Sequence, residues 1–222
     1  SNIALGYQAG YDLTSGNQNI LSGFQAGSSV TTGTGNILSG YQAGEFATTP
    51  NYAIAIGYNA IGLGVLTGTD NTAIGRGAGA DLTSGTYNNF IGNGAGANAT
   101  TADNTVAIGR DTIGSGVVTG TDNTAIGRLA GYDLTSGTYN NFIGYAAGGN
   151  ATTVERAIGI GASALGTGVL TGRDNTAIGY RAGYELTSGT FNTFMGYAAG
   201  QNVTTANNTI AIGREAISLG VL

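Results

Sequence analysis

The sequence contains no cysteine, histidine, tryptophan or lysine, and its seven basic residues are all arginine. Each absence removes a class of chemistry. Without cysteine there is no disulfide and no thiolate nucleophile. Without cysteine and histidine there is no Cys/His zinc site, and without histidine no Ser-His-Asp triad. Without lysine there is no Schiff base. Charged residues make up only 9% of the chain, and the net charge is −5 with scattered arginines, which argues against nucleic acid as a partner. A single proline and no Gly-X-Y rhythm exclude collagen and proline-rich linkers. No apolar run approaches the roughly 18 residues of a membrane-spanning helix, so this segment is not expected to insert into a membrane. The first residues, Ser1 to Gly6, lack the basic start of a secretory leader.

What is present is glycine, 42 residues of 222, with 41% hydrophobic residues, too apolar for simple disorder. The glycines are ordered. A short apolar-Gly motif places anchors at Gly6, Gly23, Gly40, Gly57, Gly75, Gly92, Gly109, Gly127, Gly144, Gly161, Gly179, Gly196 and Gly213, always 17 or 18 residues apart. Three rung types alternate. Type A reads Asn71-Thr72-Ala73-Ile74-Gly75 and then Asp81-Leu82-Thr83-Ser84-Gly85. Type B reads Asn88-Asn89-Phe90-Ile91-Gly92 and then Asn98-Ala99-Thr100-Thr101. Type C reads Thr105-Val106-Ala107-Ile108-Gly109 and then Gly116-Val117-Val118-Thr119-Gly120. The 18-residue step follows type C, so three rungs make a 52-residue super-repeat; the N-terminal part carries one additional B rung. A period this short cannot hold two helices, and interior glycine costs a helix about 1 kcal/mol each. The remaining reading is an all-β parallel β-solenoid of 13 rungs, with short strands rich in Ile, Val, Thr and Phe and glycine-rich corners where positive φ is needed. At about 4.8 Å per rung the array predicts a rod roughly 60 Å long. The repeats cover 1–222 as a single array, and the incomplete rungs at both ends read as a fragment of a longer fibre.

Position-by-position comparison predicts vertical columns. The residue before the anchor is Ile in nine of thirteen rungs, with Leu5, Met195, Ser22 and Ser39 as exceptions, and the residue three after it is Ala in all but Thr112. Both columns are read as inward-facing, so Ile126→Asp is expected to disrupt stacking and oligomer together. Asn four before the anchor, as in Asn71, Asn88, Asn123 and Asn140, predicts a stacked amide ladder, with an amide ligand array as the alternative. Type C shifts this Asn one earlier, as in Asn104 and Asn208. Aromatics follow many anchors, including Tyr145, Tyr180 and Tyr197, and arginine takes the same column elsewhere. These three tyrosines are candidate interchain contacts, with ligand binding as the other use. Phe90, Phe142 and Phe194 lie two before type B anchors, on the opposite side of the strand from the Ile column. They are therefore candidate interchain contacts too. With few inward side chains per rung, a lone thin coil is marginal, and oligomerisation is expected.

Other motifs weigh toward structure. Asn98, Asn150 and Asn202 open Asn-x-Thr sequons and are candidate glycosylation sites, although their recurrence at the 52-residue step fits turn composition. Asp70, Asp122 and Asp174 each precede Asn, but no Asp-x-Asp spacing supports calcium. Adjacent Thr pairs such as Thr100 and Thr101 diverge, unlike the Thr-x-Thr ladder of an ice-binding face. Asp81, Asp133 and Glu185 recur with the repeat, whereas a catalytic carboxylate pair need exist once. No enzyme activity and no cofactor or metal are expected.

The motif Asn-Thr-Ala-Ile-Gly-x-x-Ala, as in Asn71 to Ala78, resembles the head repeats of trimeric autotransporter adhesins of the YadA type. The longer form, Asn2 to Gly10 followed by Leu13 to Gly16, resembles shaft repeats of bacteriophage tail fibres. The resemblance spans nearly the whole chain, although the adhesin repeat is shorter, near 14 residues. It implies a left-handed β-roll or β-helix, three chains wound together as a homotrimer, and an extracellular or virion location. The function expected is the structural shaft of such a fibre, a rigid spacer for attachment. The alternatives are an adhesin head that binds a cell-surface glycan or matrix target, and a subunit of an extracellular filament.

Overall fold

The computed structural model describes residues 1–218. All its regular structure is β: thirteen strands of three residues, one immediately before each anchor glycine. Contacts divide the chain into two compact units, Ser1–Ile108 with Val117–Thr119, and Gly109–Gly116 with Gly120 onward. The first unit holds β1 (Ile3–Leu5), β2 (Ile20–Ser22), β3 (Ile37–Ser39), β4 (Ile54–Ile56), β5 (Thr72–Ile74), β6 (Asn89–Ile91) and β7 (Val106–Ile108). They pair in chain order, all parallel. The second holds β8 (Thr124–Ile126), β9 (Asn141–Ile143), β10 (Ile158–Ile160), β11 (Thr176–Ile178), β12 (Thr193–Met195) and β13 (Ile210–Ile212), paired the same way. Each unit is a parallel β-solenoid, one lap of chain per anchor.

The register is set by the repeat. Ile74 lies beside Ile91 and Ile91 beside Ile108, each 17 residues on. After a type C rung the offset becomes 18, as in Ile56 beside Ile74, yet the pairing stays in step. The extra residue is absorbed on the far side of the lap. The Leu63 N–H donates to Ala80 O, and pairing resumes with the Thr67 N–H to Thr83 O. Between them Val65 is pushed outward, 53% exposed, while Leu66 stays buried.

The corners are left-handed, and glycine supplies only some of them. Two residues after the anchor φ is near +50 to +60° at Gln8, Gln25, Gln42, Asp111, Leu129 and Arg181. Five before the anchor it is the same at Asp70, Tyr87, Asn104, Asp122, Tyr139 and Asp174. In all, 26 described non-glycine residues have positive φ beside 25 glycines, so the expected glycine corners are present and are joined by about as many that lack glycine. Each costs about 1–2 kcal/mol, least for Asn and Asp. The N–H bonding from lap to lap holds these corners; the Gln25 N–H to Tyr7 O and the Asp70 N–H to Asn51 O are examples.

The interior reverses one expectation. The strand's central residue points in and its flanks point out, so the Ile column before the anchor faces outward; Ile56 is 40% exposed. The inward column is two before the anchor: Leu21, Leu38, Ala55, Ala73, Phe90, Ala107, Ala125, Phe142, Ala177 and Phe194 are all fully buried. Phe90, Phe142 and Phe194 are thus corrected from interchain contacts to core, each at 0% exposure. The Ala column three after the anchor is inward as expected, with Thr112 buried in its place in one rung.

Volume is shared across rungs. Four residues after the anchor stands glycine in type A and B rungs and Ile61, Ile113, Leu165 or Ile217 in type C, the first three buried and Ile217 exposed in the last rung. A Cβ on Gly96 would meet Phe90 at 2.6 Å, and one on Gly79 would meet Phe90 at 2.9 Å. The phenylalanine of rung B therefore fills the space above two glycine corners. Type C has only Ala or Gly at the strand centre, and its Ile or Leu occupies the corner instead. Those residues accept φ near +50°, strained for a bulky or β-branched side chain, and that placement fills the core.

The Asn column forms the ladder the sequence predicts. Asn140 is 0% exposed; its Nδ2 donates to Asn123 Oδ1 at 3.0 Å and to Val154 O at 2.8 Å. Its Oδ1 accepts the Ala157 N–H at 2.9 Å. The same pattern joins Asn71 to Asn88 and Asn175 to Asn192. These amides are buried, and every side-chain oxygen and nitrogen among them is bonded within the chain, which argues against a ligand array. Each run ends at a type C rung, where Thr105 and Ala157 supply only an N–H. Asn104 and Asn208 do not continue the ladder; they sit at the left-handed corner one residue earlier. Asn140→Asp replaces two donated bonds with a carboxylate facing two acceptors. We expect a loss of about 2–3 kcal/mol at pH 7. Desolvation and the facing oxygens raise that carboxyl's folded-state pKa, so the loss shrinks as pH falls below the raised value. Urea titrations at pH 4 and pH 7 check this; equal losses at both would refute it.

Candidate interaction face

Three columns point outward on the sheet side of each lap: three before, one before and one after the anchor. The first two contain no charged residue in any of the thirteen strands. Ile, Leu, Val, Thr, Ser, Asn and Met fill them, giving an uncharged, largely apolar strip. Sequence reasoning placed this strip inside. The signal that identifies the true interior is polarity: the column two before the anchor is never polar, whereas the Ile column admits Ser22 and Ser39.

Beside the strip runs the aromatic column. In the first unit Tyr7, Phe24, Tyr41 and Tyr58 stack with centroids 5.0–5.3 Å apart and planes within 17°. Arg76 closes the stack, its guanidinium carbon 5.8 Å from the Tyr58 centroid. In the second unit Arg128 lies over Tyr145 at 5.5 Å, Tyr180 stacks on Tyr197 at 5.2 Å, and Arg214 covers Tyr197 at 5.5 Å. Tyr145, Tyr180 and Tyr197 are 50%, 42% and 51% exposed, so these three interchain candidates do lie on the surface. Phe24, Tyr41, Tyr58, Tyr180 and Tyr197 each have two ring or arginine neighbours, and Tyr7 and Tyr145 one each. A sugar ring stacks on a free aromatic face, and these ladders offer mostly edges. Next to them, Gln25 Nε2 donates to Gln8 Oε1 at 3.1 Å and Gln42 Nε2 to Gln25 Oε1 at 3.2 Å.

The remaining candidates are spread along the laps rather than gathered. Asn150 Nδ2 donates to Thr167 O at 2.9 Å and Asn202 Nδ2 to Ser218 O at 2.5 Å; Asn98 is engaged as well. The nitrogen a glycan would take is thus already bonded at Asn150 and Asn202. Thr hydroxyls are spent similarly, Thr83 on Thr100 O at 2.8 Å and Thr187 on Thr204 O at 2.9 Å. Asp174 receives Arg156 through two bonds, 2.6 and 3.0 Å. That guanidinium holds the carboxyl below the usual range, so the pair's contribution is present at neutral pH and fades as pH falls through the lowered value. Ser115 Oγ donates to Asp133 Oδ1. A dent lined by Tyr197, Gln201, Asn202, Glu215 and Ser218 holds one carboxylate. Among the described residues no three His, Cys, Asp or Glu side chains group as a metal site, and no helix is long and apolar enough to cross a membrane.

No family model, curated protein or solved structure matches the chain.

Proposed function

We propose that this chain is a non-catalytic structural segment of an extracellular or virion fibre, similar to a phage tail-fibre shaft. It would hold an attachment tip away from its base, and copies would associate as a homotrimer through the uncharged sheet face. One observation carries the reading: the Asn and Thr columns, the Gln run and the aromatics after the anchor are spent on stacking from lap to lap. Asn, Gln, Thr and Tyr each bond or stack on the same residue type a lap away, at Asn123 and Asn140, Gln8 and Gln25, Thr135 and Thr152, Tyr41 and Tyr58. Repetition serves a continuous scaffold, whereas a catalytic or ligand site needs convergence at one place. The resemblance to fibre repeats points the same way. The ladders' covered ring faces favour a shaft over a glycan-binding adhesin head.

Sedimentation equilibrium tests it. The expected mass is about three times the 21.9 kDa chain. A folded monomer at tens of micromolar would end the self-association reading. Ile126 lies on the outward strip, half-buried, so Ile126→Asp is now expected to spare the fold. Chain stability should change by less than about 1 kcal/mol, with association weakened at least about tenfold by a buried charge. Unfolding of the isolated chain by this substitution would restore Ile126 to the core.

A further inference from the structure

The strip of the first unit carries one interruption that the three-rung repeat does not reproduce. Along the column before the anchor the residues are Leu5, Ser22, Ser39, Ile56, Ile74, Ile91 and Ile108. Ser22 lies directly beside Ser39, with Leu5 on one side of the pair and Ile56 on the other. Both serines are half-buried, and neither hydroxyl makes a hydrogen bond among the described residues. Ile20 and Ile37 border them on one side, Phe24 and Tyr41 on the other. The result is a two-rung polar notch in an apolar strip.

We propose that Ser22 and Ser39 fix the alignment of copies of this chain as parallel, with like rungs level. The proposal rests on the self-association reading above. A second copy is the occupant the face fits. Its four stacked rings, each about half exposed, contribute roughly 400 Å². Leu5, Ile20, Ile56, Ile74 and Ile91, all more than a third exposed, extend that area. The total approaches the ~800 Å² per partner of a stable interface and exceeds the 300–600 Å² patch usual on a monomer. Only a partner with the same 17- to 18-residue pitch keeps side chains in step over every rung.

Uninterrupted Ile columns would let two copies slide rung by rung at little cost. The notch removes that freedom. A slide by one rung sets a serine against Leu5 or Ile56 and buries a hydroxyl without a partner, whereas the level alignment sets hydroxyls against hydroxyls. An antiparallel arrangement centred on the pair also matches the serines, but it sets Ile56 against Leu5 and so yields neither 56–56 nor 91–91 links. The device works like a polar residue at one core position of a coiled coil, which selects register at some cost in stability.

The chain has no cysteine of its own, so thiol cross-linking reads the alignment. Ile56→Cys and Ile91→Cys copies are mixed, joined with a cross-linker shorter than two strand spacings, about 10 Å, and the linked peptides identified by mass spectrometry. With the serines present, 56–56 and 91–91 links should exceed 56–91 links at least about tenfold. In the Ser22→Ile/Ser39→Ile background that excess should fall below about threefold, and Ser22→Thr/Ser39→Thr should retain it. Abundant 56–91 links in the serine-bearing chain, or an unchanged excess without serines, overturns the alignment role while leaving association intact. A monomeric serine-bearing chain fails at the earlier step and is seen first, by sedimentation.

Discussion

Replacing Gly75 by alanine is expected to cost about 4 kcal/mol or more, while the same change at Gly77, two residues away, should cost about 1 kcal/mol. Both glycines have positive φ, +135° and +63°. The difference lies in what a methyl would meet. At Gly77 nothing lies within 4 Å. At Gly75 it would strike the backbone of Gly92, the carbonyl oxygen first and the carbonyl carbon at 2.7 Å. The φ of Gly75 is also one that L side chains rarely adopt. Backbone cannot step aside as a side chain can, so the two laps must separate, and the bonds from Gly75 N–H to Ile56 O and Gly92 N–H to Ile74 O go with them. Urea denaturation of both variants decides. Similar losses would refute a role for direct backbone contact in keeping the anchor column glycine.

The second large effect concerns the shared interior volume. Phe142→Ala should lose about 3–5 kcal/mol through the cavity it leaves. Gly148→Ile alone should also destabilise, by about 2–4 kcal/mol, because its Cβ would sit 2.5 Å from Phe142 Cδ1 and its backbone has φ +58°. Together the two substitutions rebuild the arrangement of Ala107 with Ile113, in which a small strand centre goes with a large corner. The double variant should come within about 2 kcal/mol of the parent, a coupling larger than contacting pairs usually show. Additive losses in the cycle would refute volume exchange between the two positions.

Much of this architecture is legible in the sequence because repetition does the work of an alignment within one chain. The anchor spacing gives the laps, the strands before each anchor and the vertical like-on-like stacking of Asn140 on Asn123. What alternation cannot give is which side of the strand faces in. It sets Ile126 and Ala125 on opposite sides and is indifferent to their exchange. Size alone favours the larger residue for the core, but the lap is narrow, and Leu134 and Ala130 already fill the interior from the other walls. The left-handed corners at Leu129 and Tyr139 were hidden for a related reason. Lap-to-lap hydrogen bonds enforce them, so no local residue preference announces them. The aromatic column was visible as a stripe, but the closure of its ring faces by Arg76 and Arg128 depends on three-dimensional stacking. The serine pair was visible as an exception; its meaning required knowing that its column is outside.

The exchange of volume between strand centre and corner also constrains the order of rungs. A Phe-bearing rung removed alone takes one glycine corner with it and leaves the other, as Gly131 beside Phe142, without the ring that fills it. A Phe-bearing rung placed directly after a type C rung would crowd its ring against an Ile or Leu corner. A rung with a large strand centre can instead follow another glycine corner: Leu21 and Leu38 share Gly27 between them, and the additional rung stands there. Succession along the array thus obeys a grammar, in which each Phe or Leu strand centre comes after a glycine corner.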